Sequence, residues 1–177
     1  MTTVIPNAAR KAAALHAEHG SVYVEAPIFG IPAQAVARTP TVCVAGPGSA
    51  KARVHPLLEA MGAKHIVDFG EATGSGTATK LVGNFLIIAG FVALQEAFDV
   101  LRANGLDPKP TLEMLTTTLV ATPGNQRYAS ALLSGHVPTS AIPEKDIGLF
   151  RRFAEAAQAH APFSEGIERI LTGAKRP

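Results

Sequence analysis

The sequence has no tryptophan, and aromatic residues make up only 6% of its 177 positions. Platforms on which nucleic-acid bases stack need more rings than that. It also has no run of lysine or arginine able to follow a phosphate backbone, since 16 basic residues nearly balance 14 acidic ones for a net charge of +2. A nucleic-acid partner is therefore not expected. A single cysteine, Cys43, excludes an intrachain disulfide and with it the secreted disulfide scaffold. It lies in the apolar run Thr41-Val42-Cys43-Val44-Ala45, where a buried strand thiol is expected. The six histidines are scattered. His16 and His19 lie three apart on a helical segment, but two imidazoles make an incomplete ligand set, so a solvated helix face and no metal site are expected. The N-terminal residues lack the basic-then-apolar pattern of a secretory leader, and the most apolar stretch, Phe85 to Leu94, is shorter than the roughly 18 residues that span a bilayer. These absences leave a cytoplasmic protein with no membrane partner as the expectation.

What is present is ample apolar material, 47% of residues against 17% charged, enough to fold rather than stay disordered. The pattern changes near Gly70. Before it, short β-prone runs alternate with helical segments. Strands are expected at Thr2–Ile5, Val22–Val24, Thr41–Ala45 and His65–Phe69. Helices are expected over 7–19 with Asn7 as cap and over 49–61 with Ser49 as cap. That rhythm argues for an α/β layer. After Gly70 no strand is evident. Residues 76–104 read as one helix on the order of 40 Å long at about 1.5 Å per residue. It ends at Asn104-Gly105, with Leu106 placed to pack back. Its middle is apolar on every face, which calls for burial all round and for cover from another subunit. Gly83 and Gly90 within it are expected to admit a neighbouring helix. Further helices fit 110–119, 125–133, 144–160 and 164–172, with Ala121-Thr122-Pro123-Gly124 and Gly135-His136-Val137-Pro138 as breakers. Arg151 and Glu155 are spaced for an i,i+4 pair. The glycines at 70, 74 and 76 mark the domain boundary, giving domains of residues 1–72 and 73–177.

The segment most able to carry chemistry is Gly74-Ser75-Gly76-Thr77-Ala78-Thr79-Lys80-Leu81-Val82-Gly83-Asn84. A glycine-rich entry leads into the long helix, and Lys80 and Asn84 share a face four residues apart. A lysine in partly dry surroundings can exchange a proton near neutrality, and an amide one turn on can hold a substrate oxygen. The plainer alternative is a lysine snorkelling at the end of a buried helix, and spacing alone favours it. Ala45-Gly46-Pro47-Gly48-Ser49-Ala50-Lys51 has the wrong spacing for a phosphate loop, and Pro47 removes an amide donor.

Four segments, in order, resemble the β-hydroxyacid dehydrogenases, the group that includes 3-hydroxyisobutyrate and 6-phosphogluconate dehydrogenases. The Lys80-Leu81 pair with Asn84 resembles that family's catalytic motif. Thr2-Thr3-Val4-Ile5-Pro6 resembles its Ser-Thr-(Ile/Val)-x-Pro strand end. Glu25-Ala26-Pro27-Ile28-Phe29-Gly30 resembles its Asp-Ala-Pro-Val-Ser-Gly-Gly substrate loop, and Lys145-Asp146-Ile147-Gly148-Leu149 its Lys-Asp-Leu-Gly-Leu segment. The resemblance implies a partial Rossmann-type α/β layer followed by an all-α domain with one long buried helix. Residues 1–72 would be the distal part of a dinucleotide-binding domain, and residues 73–177 a helical dimerisation and substrate domain of a homodimer. It further implies Lys80 as general acid/base, Asn84, Phe29 and Gly30 at the substrate, and Thr3 and Lys145 at the cofactor. The implied reaction is hydride transfer between NAD or NADP and a small-molecule hydroxy acid, or a related carbonyl or imine.

Two departures carry weight. Phe29 stands where the family has serine and Ile31 where it has a second glycine, which points to a more apolar substrate. No Gly-x-Gly-x-x-Gly occurs anywhere in the chain. The resemblance begins in what would be the middle of the nucleotide domain. The expectation is a truncated chain lacking on the order of a hundred N-terminal residues, with an open sheet edge. Two further outcomes stay open: a non-catalytic oligomerisation or ligand-binding module derived from the family, and a helical subunit completed by another chain.

Overall fold

A computed structural model describes residues 3–136 and 141–173. Thr2 of the first expected strand and Val137-Pro138 of the second breaker lie outside the described residues. The chain falls into two compact units, Met1–Gly83 with Gly148–His160, and Asn84–Ile147 with Ala161–Pro177.

The first unit opens with helix α1 (Pro6–Glu18). Pro6 occupies the first helical position, where its fixed φ suits the turn and its absent N–H is no loss. Asn7 is therefore inside the helix and not its cap, and its Oδ1 accepts a hydrogen bond from Arg10. Residues 3–5 form no strand, and neither do 22–24. Pairing begins only at Glu25, bridged to Ala45, and at β1 (Ile28–Phe29). A short helix that the sequence pattern did not show, α2 (Pro32–Val36), again starts on a proline.

β2 (Thr41–Val44) is the central strand, antiparallel to β1 and parallel to β3 (His65–Asp68). α3 (Gly48–Ala60) makes the crossover that parallel pairing requires. Its cap is Pro47, so Ser49 falls in the first turn and makes no capping bond. Val42 and Val44 pack with Leu58 of α3 on one sheet face, joined by Val54 and Ile66. Cys43 is buried in β2 as expected. α4 (Ser75–Ala103) starts against the β2 backbone, and a side chain at Gly76 would put its Cβ 3.2 Å from the Cys43 carbonyl oxygen. Glycine at 76 is what lets the helix come this close.

The second unit is helical throughout its described residues: most of α4, α5 (Pro108–Thr117), α6 (Pro123–Ser134), the start of α7 (Ile142–Ala156) and α8 (Pro162–Leu171). Leu94, Leu112, Ala129 and Leu132 form one core, and Ile88, Ile147 and Ile167 another. Ile147 and Ile167 are 0% and 1% exposed, so each contributes about 1.5–3 kcal/mol by burial. Side-chain caps set the starts of α5 and α6. Asp107 accepts from the Lys109 amide, which moves α5 two residues earlier than expected, and the Thr122 hydroxyl accepts from the Asn125 amide. The supposed breaker Thr122-Pro123-Gly124 is thus a helix start. Leu106 closes the end of α4 through its backbone N–H to Leu101, while its side chain stays exposed. The Arg151–Glu155 pair in α7 forms as spaced, at 3.1 Å.

The expected all-round burial of α4 is not met by one chain. Leu81, Ile88 and Leu94 are buried, whereas Leu86 is 63% and Ile87 44% exposed. The other helices of the second unit pack against Ile88 and Leu94 and leave Leu86, and in part Ile87, uncovered. Over its most apolar 18 residues α4 has mean hydropathy 1.7, long and apolar enough by those measures to cross a membrane.

Candidate active site

The start of α4 is fixed by a carboxylate from 49 residues away. Glu25, 2% exposed, accepts hydrogen bonds from the Gly74 amide at 2.7 Å, the Thr77 amide at 3.3 Å and the Thr77 hydroxyl. A buried carboxylate is tolerated here because it faces the positive end of a long helix and takes up its orphan N–H groups. The start of α3 is closed the same way, the Gly48 amide donating to Glu71 Oε1 at 3.0 Å. Each of these two glycine-rich turns therefore has an amide committed to the chain's own carboxylate. At each turn that donor is not free for the pyrophosphate of a dinucleotide.

Within the first unit the structure brings Lys80, Phe29 and Gly83 together. Lys80 lies 4.1 Å from the centroid of the Phe29 ring, an arrangement in which the negative ring face attracts the ammonium. The same ring covers Gly83, which was expected to admit a helix. Only Gly90 meets a helix, with Asn125 Oδ1 of α6 lying 3.1 Å from where its Cβ would be. Lys80 also acts on Cys43. Burial pushes that thiol up, and the Lys80 charge pulls it the other way. Gly30 is exposed at the end of β1, and the amide that follows it, Ile31, donates to Gln34 Oε1. Thr3 is half-buried outside any helix or strand.

Within the second unit Asn84 meets Asp146. The Asn84 carboxamide donates to Asp146 Oδ2 at 2.5 Å, and Asp146 is only 4% exposed. Its other oxygen, Oδ1, is buried without a well-directed hydrogen bond, although the Lys145 ammonium lies 2.9 Å away. The contact is close but poorly aligned, so it acts as an ion pair only. Lys145 itself is half exposed, with 52% of its side chain open. Asp146 orients the carboxamide through one N–H and leaves its oxygen and second N–H for other partners.

Sequence reasoning assigned no role to Glu25 or Asp146, although both lie in segments it singled out. Glu25 gives no local signal, because its partners are far along the chain. The apolar Ile147 next to Asp146 was the available hint that this carboxylate is buried. Among the described residues no group of three or more metal-ligating side chains comes together.

Residues 74–176 match the family described as the NAD-binding domain of NADP-dependent 3-hydroxyisobutyrate dehydrogenase, and residues 1–70 match the NAD binding domain of 6-phosphogluconate dehydrogenase. An uncharacterized oxidoreductase of Bacillus subtilis is 30% identical over 169 residues, 93% of this chain and 58% of that protein. The 3-hydroxyisobutyrate dehydrogenase of Salmonella typhimurium shares the fold with TM-score 0.86 at 21% identity, over 97% of this chain and 61% of the other. The Mycobacterium tuberculosis 3-hydroxyisobutyrate dehydrogenase, solved with L-serine, superposes with TM-score 0.77 at 29% identity, over 97% of this chain and 62% of the other. The chain thus spans about three-fifths of the length of these relatives. With a partial Rossmann layer, a helical unit and matches that together run over nearly its whole length, the chain belongs to the NAD(P)-binding β-hydroxyacid dehydrogenase family.

Proposed function

We propose that this chain carries the acid–base and substrate-holding residues of an NAD(P)-dependent dehydrogenase acting on a hydroxy acid or a related carbonyl or imine. The observation that carries this reading is Lys80, held on a half-buried helix face over an aromatic ring, within a family whose motif it matches. In this reading Lys80 Nζ gives a proton to, or takes one from, the substrate oxygen or nitrogen. Asn84, oriented by Asp146, holds that atom by a hydrogen bond. Gly30 and Phe29 line the substrate, with Phe29 making its surroundings apolar. Thr3 would serve near the nicotinamide, and Lys145 near the cofactor and substrate. NAD or NADP, when bound, supplies or accepts the hydride, and its pyrophosphate is held elsewhere than the two carboxylate-closed turns. Candidate substrates are 3-hydroxyisobutyrate, for which the Salmonella and Mycobacterium relatives are named, and L-serine, with which the latter was solved, together with more apolar homologues. The protein is proposed to be cytoplasmic. Residues 1–72 serve as the distal nucleotide-domain part, and residues 73–177 as the helical substrate and dimerisation domain. The exposed Leu86 and Ile87 side chains of α4 support a homodimer.

The test is NAD(P)H titration of the purified chain, followed by turnover assays with hydroxy acids. General acid–base catalysis contributes about 10²–10⁴-fold, so Lys80→Ala should lower turnover by that order while leaving the circular dichroism spectrum intact. Unchanged turnover in Lys80→Ala refutes the acid–base assignment. The closed turns at Glu25 and Glu71 favour a second reading, a non-catalytic module derived from the family. NAD(P)H binding supports the first reading, and its absence leaves that module or a fragment of the dehydrogenase.

A further inference from the structure

We infer that Phe29 is a positioning residue for Lys80, and that position 83 is glycine because the Phe29 ring lies where any side chain there would stand. The functional weight of this inference rests on the reading of Lys80 as the acid/base, but the arrangement itself is tested without it.

A lysine ammonium rides on four methylene groups, each free to rotate, so left to itself it samples many positions. The Phe29 ring narrows that freedom by offering a negative face 4.1 Å from Nζ. The ring in turn is held by β1, where Phe29 is registered opposite Thr41 of β2. The platform therefore belongs to the sheet, while the cation belongs to α4, and their meeting fixes the ammonium relative to the sheet end at residues 28–30.

The second observation is independent. A Cβ placed on Gly83 would lie 2.6 Å from Phe29 Cε1, closer than real side chains come. Glycine inside a helix costs stability relative to alanine, so its place at 83, in the first third of α4, calls for a reason. The ring supplies it. Lys80 and Gly83 lie three residues apart on one helix face, and the ring spans both. Serine at position 29, the residue expected there from the family pattern, would give the ammonium no ring to rest on and would leave space above Gly83. Phe29, Lys80 and Gly83 form one unit in which each residue type depends on the others.

The test reads the position of the amine directly. Reductive methylation of the full chain with isotope-labelled formaldehyde gives each lysine a dimethylamine signal in the NMR spectrum, and Lys80→Arg identifies the one belonging to Lys80. An amine over a ring face resonates upfield of the solvent-exposed lysines. The expected result is an upfield Lys80 signal in the wild type, kept in Phe29→Tyr and moved to the bulk position in Phe29→Leu. A wild-type Lys80 signal already at the bulk position, or one unmoved in Phe29→Leu, overturns the inference. Gly83→Ala gives the second readout. It should lower the urea midpoint in the wild-type background and fail to do so in Phe29→Leu, where the ring is gone. Equal effects in both backgrounds overturn the role of Gly83. An inactive Lys80→Ala variant says nothing about Phe29. An unshifted Lys80 signal removes Phe29 as the positioning residue and leaves the acid–base role of Lys80 standing.

Discussion

Glu25→Ala is the most informative change to the scaffold of the site. Its carboxylate accepts from the Gly74 amide, the Thr77 amide and the Thr77 hydroxyl, all in buried surroundings. Removing it leaves the hydroxyl free to rotate towards a backbone carbonyl of the preceding turn, so that donor need not be counted. The two amides cannot move without unwinding the helix start. A buried donor left without a partner costs about 1–3 kcal/mol, so two of them cost roughly 2–6 kcal/mol. Loss of the negative charge at the positive end of α4 adds about 0.3–1 kcal/mol. Relief of the carboxylate's own desolvation and entry of a water into the vacated space act the other way, which puts the expected net loss near 3 kcal/mol. Glu25→Gln keeps one acceptor oxygen but turns an N–H₂ group towards a donor, so its loss should fall between wild type and Glu25→Ala. The assay is urea unfolding followed by circular dichroism, reading the midpoint at unchanged slope. A Glu25→Ala chain within about 0.5 kcal/mol of wild type, the range of ordinary surface changes, would refute the view that this carboxylate holds the start of α4.

The hydrogen bond from the Lys51 ammonium at 2.6 Å, then that from the Gly70 amide, holds the Asp68 carboxyl below the usual carboxylate range. The unfolded chain therefore binds that proton more tightly. The contribution is present above the unfolded value, about 3.9, and fades as pH falls through the lower folded value. Asp68→Asn should lower stability modestly at neutral pH, where the contribution is present, and leave it unchanged at the acid end, so that the acid limb flattens; the loss is small because Asp68 is exposed. An unaltered acid limb, measured by urea midpoints across pH, would count against the pair. Leu86→Glu places a charge on the uncovered face of α4. If that face joins two copies, light scattering should show the mass falling to one chain with the monomer still folded. A wild-type chain that is already monomeric removes the proposal.

Much of the architecture was legible because it is written in local periodicity. The runs at Thr41–Val44 and His65–Asp68, the long helix and the helices after it follow from side-chain spacing and end signals within a turn or two. The strands expected at 2–5 and 22–24 did not form. β-propensity alone does not supply a neighbour, and a strand exists only where another backbone pairs with it. Helix starts were misplaced at Asn7 and Ser49 because a proline at the first helical position or at the cap took over the role assigned to a polar side chain.

The sequence by itself determined the family, the candidate lysine and amide one helical turn apart, and the apolar character of the helix that carries them. Those properties are fixed by covalent order and by 3.6-residue geometry. Only the tertiary structure decided what surrounds them: Glu25 closing the start of α4 from 49 residues away, the Phe29 ring under the Lys80 ammonium, and Asp146 turning the Asn84 carboxamide. Each of these pairs joins residues far apart along the chain. Such contacts come from which faces pack together, and no local pattern in the sequence encodes that.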